Sequence, residues 1–321
     1  MVGDEITARM TIARRALGVS SFGITDKGRV RASNEDQFLV AELTKAMRIW
    51  YTSLPEPKMR FGEERGHLFL VADGMGGHQA GEQASALAVA AIEQFTLNSL
   101  KWFFDSNRQE ARQVLVQFQN ALRHADERIL EESAGHDELS GMGTTVTMAY
   151  HLDAQVCVVH VGASRAYLYH DGDLHQLTQD QSLMADMLRE GQIQPEQVAQ
   201  HRFRHVITNV VGGHEAGVQV EAHALQVQAG DRLLLCTDGL TEMLAHDVIV
   251  ATLRAEPDSE AAARQLLAQA NAAGGLDNIT VVIVRFDEPG ATVASRTTEV
   301  LAVPRPELVA RGSVSPPSTP R

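Results

Sequence analysis

The sequence predicts an α+β fold, and three observations carry that expectation. Two long segments, 82–97 and 108–132, place apolar residues at helical spacing. From residue 143 the period switches to strands joined by short turns. Two apolar runs, 68–72 and the one inside 230–240, each stop at an Asp-Gly pair, Asp73-Gly74 and Asp238-Gly239.

Residues 1–17 are mixed in composition and are expected to form a loosely held arm. Val19 to Ile24 suits a first strand, and TDKG at 25–28 a turn in which Gly28 takes a positive backbone angle. Phe38 to Val40 restart a strand, so Arg31, Asn34, Glu35 and Asp36 lie at a strand start beside a turn. Residues 44–66 hold Pro55, Pro57, Trp50, Tyr51 and several basic side chains, and read as a long loop or hairpin extension outside the core. Leu68 to Val71 is wholly apolar, which suits a strand buried on both faces. It ends in Asp73, and glycines at 74, 76 and 77 let the backbone turn tightly and approach whatever that carboxylate holds. Ala84, Leu87, Ala88, Ala91, Ile92 and Phe95 form one helical face; Val114, Leu115, Phe118, Leu122, Ala125 and Ile129 form another, opposite a charged face.

The strand block runs through 143–151, 154–162 and 164–178, and Asp171-Gly172 inside it is a hairpin signal. Residues 179–199 are polar with helical pieces, and 203–211 lead to Gly212-Gly213. Helical patterns follow at 241–253 and 259–273, Gly274-Gly275 stops the second, and Asp277-Asn278 stand directly before a last apolar strand. Beyond Asp287 the composition shifts: six of the ten prolines lie between 289 and 320. A single domain over 18–287 with a flexible Pro-rich tail over 288–321 is therefore expected.

A net charge of −13 on 321 residues argues against nucleic acid or an anionic membrane as the main partner. Cys157 and Cys236 both sit in apolar strand-like runs and read as small buried residues of a reducing compartment. No apolar run approaches a membrane span, and no apolar segment follows the N-terminal arginines as in a signal peptide, so a cytoplasmic protein without membrane insertion is expected.

Asp36, Asp73, Asp238 and Asp277 each stand at a strand terminus beside a small or turn-forming residue. If these termini share one sheet edge, four carboxylates meet, and such a cluster stays ionised only with cations. Oxygen ligands without a His or Cys set select hard ions, Mg(II) or Mn(II) over Zn(II). Two such ions about 3.5–4 Å apart can share a carboxylate and activate a water. Asp73 is the best bridge, with the Gly74 carbonyl free to ligate as well, and the planar fork of Arg31 suits two phosphate oxygens. Together these parts imply hydrolysis of a phosphoester. Plainer readings exist for each residue: a solvated strand edge for Glu35 and Asp36, a turn cap for Asp238, a cap on Gly-rich loop backbone for Asp277-Asn278, and an Arg31–Glu35 pair.

The segments TDKGRVRASNED (25–36), VADGMGGHQAGEQAS (71–85), GMGTT (141–145), HVGASRAYLY (160–169), LTQDQS (177–182), VITNVVGG (206–213), LLCTDGL (234–240) and LDNITVVIV (276–284) resemble, in order, the bacterial form of the metal-dependent protein phosphatase family, PPM or type 2C. The resemblance implies a four-layer αββα sandwich, two antiparallel sheets flanked by helices, with a two-metal site of Mn(II) or Mg(II) at one end. It assigns Asp73 as the bridging ligand, Gly74 as the carbonyl ligand, Asp238 and Asp277 as further metal ligands, Asp36 and Glu35 as outer acids holding metal-bound water, and Arg31 as the phosphate-binding arginine. A metal-activated hydroxide would attack the phosphoserine or phosphothreonine monoester in line, without a phosphoenzyme. The stretch 180–209 matches a flap beside the site. Partners would be phosphorylated proteins, substrates of a cognate serine/threonine kinase, and a monomer is expected.

Two departures stand out. Met75 occupies a position where some relatives carry His, so no side chain is assigned as general acid and water takes that part. Ala163 replaces the aspartate of the family's VGDSR, which helps bind a third, weaker metal; the third ion should then be weak or absent and turnover reduced. The alternative that Ala163 raises is a catalytically weak relative that binds phosphoproteins and regulates by occupancy. The retained Asp73, Asp238 and Asp277 favour the enzyme.

Overall fold

The computed structural model describes residues 17–48, 59–76, 80–99, 108–198, 200–214 and 217–289. In chain order the strands are β1 (Gly18–Asp26), β2 (Asp36–Arg48), β3 (Met59–Met75), β4 (Gly143–Thr144), β5 (Val146–Leu152), β6 (Gln155–Val161), β7 (Arg165–His170), β8 (Asp173–Gln176), β9 (Val211–Gly212), β10 (Glu221–Gln226), β11 (Arg232–Cys236) and β12 (Ile279–Asp287). The helices are α1 (Ala80–Asn98), α2 (Arg108–Ala134), α3 (Leu183–Arg189), α4 (Pro195–Val198), α5 (Asp238–Thr241), α6 (His246–Ala255) and α7 (Ser259–Ala272).

Among the described residues the strands make two antiparallel sheets. One runs β1-β12-β11-β7-β8; the other runs β10-β6-β5-β3-β4-β9, with β2 also paired to β3. The side-chain period of two sorts each strand between two layers. Leu68, Leu70 and Ala72 of β3 face Ala84, Ala88, Ile92, Phe118 and Leu122 of α1 and α2. The alternate residues, Phe69 and Val71, face the other sheet, where Leu233, Leu235, Val282, Val284 and Phe286 meet them. On the far side, Leu234, Val281 and Ile283 pack against Leu253, Ala262, Leu266 and Ala270 of α6 and α7. The result is the αββα sandwich. Leu68 to Val71 are all at most 1% exposed, as a strand buried on both faces requires.

The hairpin at Asp171-Gly172 forms with both residues at positive φ, 50° and 93°, the pattern of a type I′ turn. Cys157 and Cys236 are buried, unpaired thiols. Burial pushes both thiols up to about 12. Residues 44–66 form a hairpin extension, one of the two forms expected, with β2 running to Arg48 and β3 starting at Met59, and 49–58 lie outside the described residues. Two elements differ from the sequence expectation. The single helical pattern over 241–253 divides into α5 and α6, because α5 starts one turn earlier, at Asp238 itself. Strand β10 was not anticipated: it is an edge strand with no fully buried residue, so it lacks the apolar signal. The arm at 1–17 and the tail at 288–321 fall almost wholly outside the described residues, and no described helix is long and apolar enough to cross a membrane.

Phe69→Ala, emptying the layer between the sheets, is expected to lower stability by about 3–5 kcal/mol. Val248→Ala on the exposed face of α6 should stay within about 0.5 kcal/mol of the parent. Urea midpoints at constant m-value would check both.

Candidate metal centre

Strand register places the acids. Asp36 opens β2 and faces Asp73 of β3 directly across the ladder. Asp238 follows β11 and Asp277 precedes β12, and these two strands are antiparallel neighbours with Cys236 opposite Val281. Both acids therefore leave the second sheet at the same edge. Two hydroxyls tie the sheets there: Thr237 Oγ1 and Thr280 Oγ1 donate to Asp36 Oδ2 at 2.8 and 2.7 Å. Behind them, Asn34 Nδ2 donates to Thr25 Oγ1 at 2.8 Å, which lies 2.8 Å from Thr280 Oγ1. Asn278 laces the loops together: its Oδ1 accepts from Glu35 N at 2.8 Å, and its Nδ2 donates to the carbonyls of Lys27 and Ser33 at 3.0 and 2.9 Å.

Two glycines are obligatory at this end. A Cβ on Gly74 would collide with the Gly81 carbonyl, and one on Gly239 with the Asn278 carbonyl. The Asp-Gly pairs thus exist because another backbone passes directly beside each of them. Glu35 lies at the same place, with its Oε2 packed against the Gly81 Cα and its carbonyl accepting from Ser85 Oγ at 2.6 Å and Gly74 N at 3.2 Å.

The electrostatics are those of negative charge crowded out of water. Burial, with the charges of Asp238, Asp36 and Asp277, raises Asp73 well above the usual carboxylate range. Burial raises Asp36 to about 7 despite its two threonine donors. Burial raises Asp238 to about 7, with Glu242 and Asp277 adding to it. Asp73 and Asp238 act on each other: each carboxyl is among the causes of the other's shift. Asp36 Oδ1 is buried with no hydrogen-bond partner. A buried carboxylate oxygen without a donor carries a large desolvation cost, so it suits a cation or a cation-held water. An all-oxygen donor set of this kind fits hard divalent ions.

All the residues singled out in the sequence are brought to this end. Arg31 does not pair with Glu35: its Nη2 contacts Asp277 Oδ2 at 2.6 Å, both groups partly exposed. Among the described residues no three His, Cys, Asp or Glu side chains form a ready-made ion cage. Ala163 is half-buried and lines a cleft of about 220 Å³ together with Asp238, Glu242, His205, Arg165 and Asp180.

Three contributors were not anticipated: Thr237, Thr280 and the Arg165–Asp180 pair; Asn278 bonds loop backbone, in keeping with its plainer reading as a loop cap. Arg165 Nε donates to Asp180 Oδ1 at 2.8 Å, and its Nη1 to the Tyr167 hydroxyl at 3.0 Å. It thereby anchors the start of the flap to β7. The signals were present in the quoted stretches VGASR, LDNIT and CTDG, but partners far apart in sequence hid their roles.

The flap closes at a narrow neck. Thr208 N donates to Gln181 O and Leu183 N to Val206 O, both at 2.9 Å, with a bridge between Ser182 and Ile207. Its root is tied to the metal end by buried polar side chains. Thr145 Oγ1 accepts from Asp73 N at 3.0 Å and lies 2.7 Å from Ser164 Oγ; Thr147 Oγ1 lies 2.8 Å from His160 Nδ1, whose Nε2 faces the Gln179 carbonyl at 3.1 Å.

Carboxylates from two facing sheets, gathered at one end of an αββα sandwich, are the donor chemistry that a metal-dependent hydrolase uses. The protein phosphatase 2C family profile matches residues 59–275, and the chain belongs to that family. It is 32% identical over 263 residues to the serine/threonine phosphatase stp of Listeria monocytogenes serotype 4b, covering 82% of this chain and 94% of that protein. It is also 32% identical over 276 residues to the Mycobacterium tuberculosis protein phosphatase PstP, covering 86% of this chain and 46% of that longer protein. The fold superimposes on the crystal structure of M. tuberculosis PstP with a TM-score of 0.67 at 32% identity, over 84% of this chain and 99% of that one. A structure of the PstP catalytic domain in complex with two manganese ions matches with a TM-score of 0.66 at 31% identity, over 85% of this chain and all of that one.

The raised acids fix a pH dependence. A carboxylate whose folded pKa lies above its unfolded value stabilises the fold below the unfolded pKa, and that stability is lost as pH rises through the folded pKa. For Asp36 and Asp238 the window runs from about 4 to about 7. In EDTA, Tm should fall as pH rises across this window, and Mn(II) should raise Tm at pH 8 far more than at pH 5. Asp238→Asn should flatten both trends. Differential scanning calorimetry across pH would measure them.

Proposed function

We propose that the chain is a metal-dependent serine/threonine phosphoprotein phosphatase that hydrolyses the phosphomonoester directly by water. The observation that carries this is the convergence of Asp36, Asp73, Asp238 and Asp277 from both sheets, with Asp36 Oδ1 buried and unpartnered. The relatives named above are serine/threonine phosphatases, and one of their structures holds two manganese ions.

In this reading Asp73, the Gly74 carbonyl, Asp238 and Asp277 hold two divalent ions, Mn(II) or Mg(II). When bound, these ions supply the Lewis acidity that activates water and screens phosphate charge. Asp36, fixed by Thr237 and Thr280, and Glu35, fixed by its backbone, orient water at the centre. Arg31 exchanges its Asp277 partner for phosphate oxygens, for which a planar guanidinium is suited. The hydroxyls bonded at the cluster hold its acids in place, Thr144 and Thr145 on the Asp73 backbone and Thr237 and Thr280 on Asp36. Water also serves as the proton donor to the leaving oxygen.

Ala163 gives the third-metal position no carboxylate, although Asp238 and Glu242 line the same cleft. The two-ion core keeps its ligands, so the enzyme reading holds over that of a phosphoprotein-binding regulator. The domain over 18–287 is the catalytic unit, and the tail at 288–321 is an appendage to it.

Para-nitrophenyl phosphate hydrolysis with Mn(II) tests the assignment. Asp238→Asn should lower kcat/KM at least ~100-fold, about 2.7 kcal/mol of transition-state stabilisation. Parent activity no higher than that of the variant would instead support the binding regulator. Ala163→Asp should raise Mn(II)-dependent turnover on a phosphopeptide roughly 3- to 10-fold, up to about 1.4 kcal/mol; equal rates would remove the third-metal explanation.

A further inference from the structure

A second, larger cleft of about 870 Å³ lies on the other side of the flap root, between it and residues 217–221. Its floor is continuous with the metal centre through three paired strands. Gly74 of β3 faces Thr144 of β4, which faces Val211 of β9; Met75 faces Gly143, which faces Gly212. Gly212 lines the cleft. Two strand spacings, about 10 Å, therefore separate the cleft floor from the Gly74 end of the centre. That distance is spanned by about three residues of extended polypeptide.

The lining is amide-rich: Gln179, Gln181, Asn209 and Gln219. Asn209 holds the walls at a fixed separation. Its Nδ2 donates to Gln181 Oε1 at 2.6 Å and to Gln219 O at 2.7 Å, and its Oδ1 accepts from Gln219 N at 3.1 Å. Gln181 Oε1 also accepts from Gly162 N at 2.7 Å, beside Ala163. A cleft braced in this way is formed before a ligand arrives, which lowers the ordering cost of binding. The charged groups at its edge are largely neutralised within the protein. Asp186 accepts from both Arg189 and Thr208, and Glu221 accepts from Gln179 N. With Asn209 and Gln181 Oε1 used in the brace, the exposed amides of Gln179 and Gln219, which both donate and accept, suit a peptide main chain, which offers a donor and an acceptor at nearly every residue. The cleft also adjoins Glu221, where the edge strand β10 begins, a setting in which an extended segment is readily accommodated.

We propose that this cleft binds the polypeptide flanking the phosphorylated residue, as an extended segment beginning about three residues from the phosphate. The proposal rests on the phosphatase reading and names the feature of the substrate that is recognised beyond the phosphoester: main chain on one side of it.

The test compares two phosphothreonine peptides with the full chain and Mn(II), one with a single residue on each side and one with roughly six. The longer peptide should have a kcat/KM about 10-fold higher, equivalent to about 1.4 kcal/mol. Gln219→Trp and, separately, Gln179→Trp, both filling the cleft from exposed side chains, should reduce this ratio to below about 2-fold. The ratio is internal to each enzyme form, so it does not depend on how much of a variant folds. A ratio near one in the parent, or an unchanged ratio in both variants, with para-nitrophenyl phosphate turnover intact, would overturn the cleft as a peptide site and leave the phosphatase reading standing. Absence of Mn(II)-dependent hydrolysis of every substrate would remove both.

Discussion

Asp36 and Asp73 face one another across the β2–β3 ladder, and the charge of Asp238, at the end of a strand of the opposite sheet, bears on Asp73. Carboxylates this close repel, and burial strengthens the repulsion. The fold holds them there by force of packing. Strand β3 has Phe69 and Val71 locked between the sheets, and Leu68 and Leu70 locked under the helices, so its end is not free to move away. Thr237 and Thr280 then fix Asp36 to the second sheet. The stability of the two apolar layers is what makes an electrostatically unfavourable end possible, and that end is where cations gain the most.

Much of this was legible in the sequence, because the strongest signals are local. The apolar run before Asp73, the repeated strand–Asp–Gly device and the Asp171-Gly172 hairpin each fix an element without help from elsewhere. The collisions that a side chain at Gly74 or Gly239 would cause explain why the device repeats. What stayed hidden depends on distant partners. The bond between Arg31 and Asp277, 246 positions apart, leaves no local signal. Thr237 and Thr280 carry no local mark of a shared carboxylate. Strand β10 alternates too weakly, being an edge, to be read from its residues alone.

The flap is joined to the centre at several points rather than at a single hinge. Arg165 reaches Asp180, Gln181 bonds both to Gly162 and to Asn209, and His160 faces the Gln179 carbonyl. These contacts surround the turn that carries Ala163. The turn therefore has two functions: it places residue 163 beside Asp238, and it fixes the root of the flap between the two clefts. Loss of a carboxylate at 163 leaves the second function intact, because the bonds use the backbone of Gly162 and the side chains of Ser164 and Arg165.

Asn278 draws the loop before the last strand onto the loop before β2, and β12 lies between β1 and β11 in its sheet. The first and last thirds of the domain therefore complete each other. A chain still emerging from the ribosome has its early acids, Glu35, Asp36 and Asp73, long before it has Asp277 or the strand that seats it. No partly synthesised product, and no fragment cut before residue 279, can assemble this centre. Closure of so long a loop is also slow compared with the formation of helices and hairpins. Competence is thus delayed until synthesis of the domain is essentially complete, which prevents a hydrolase from acting while half made.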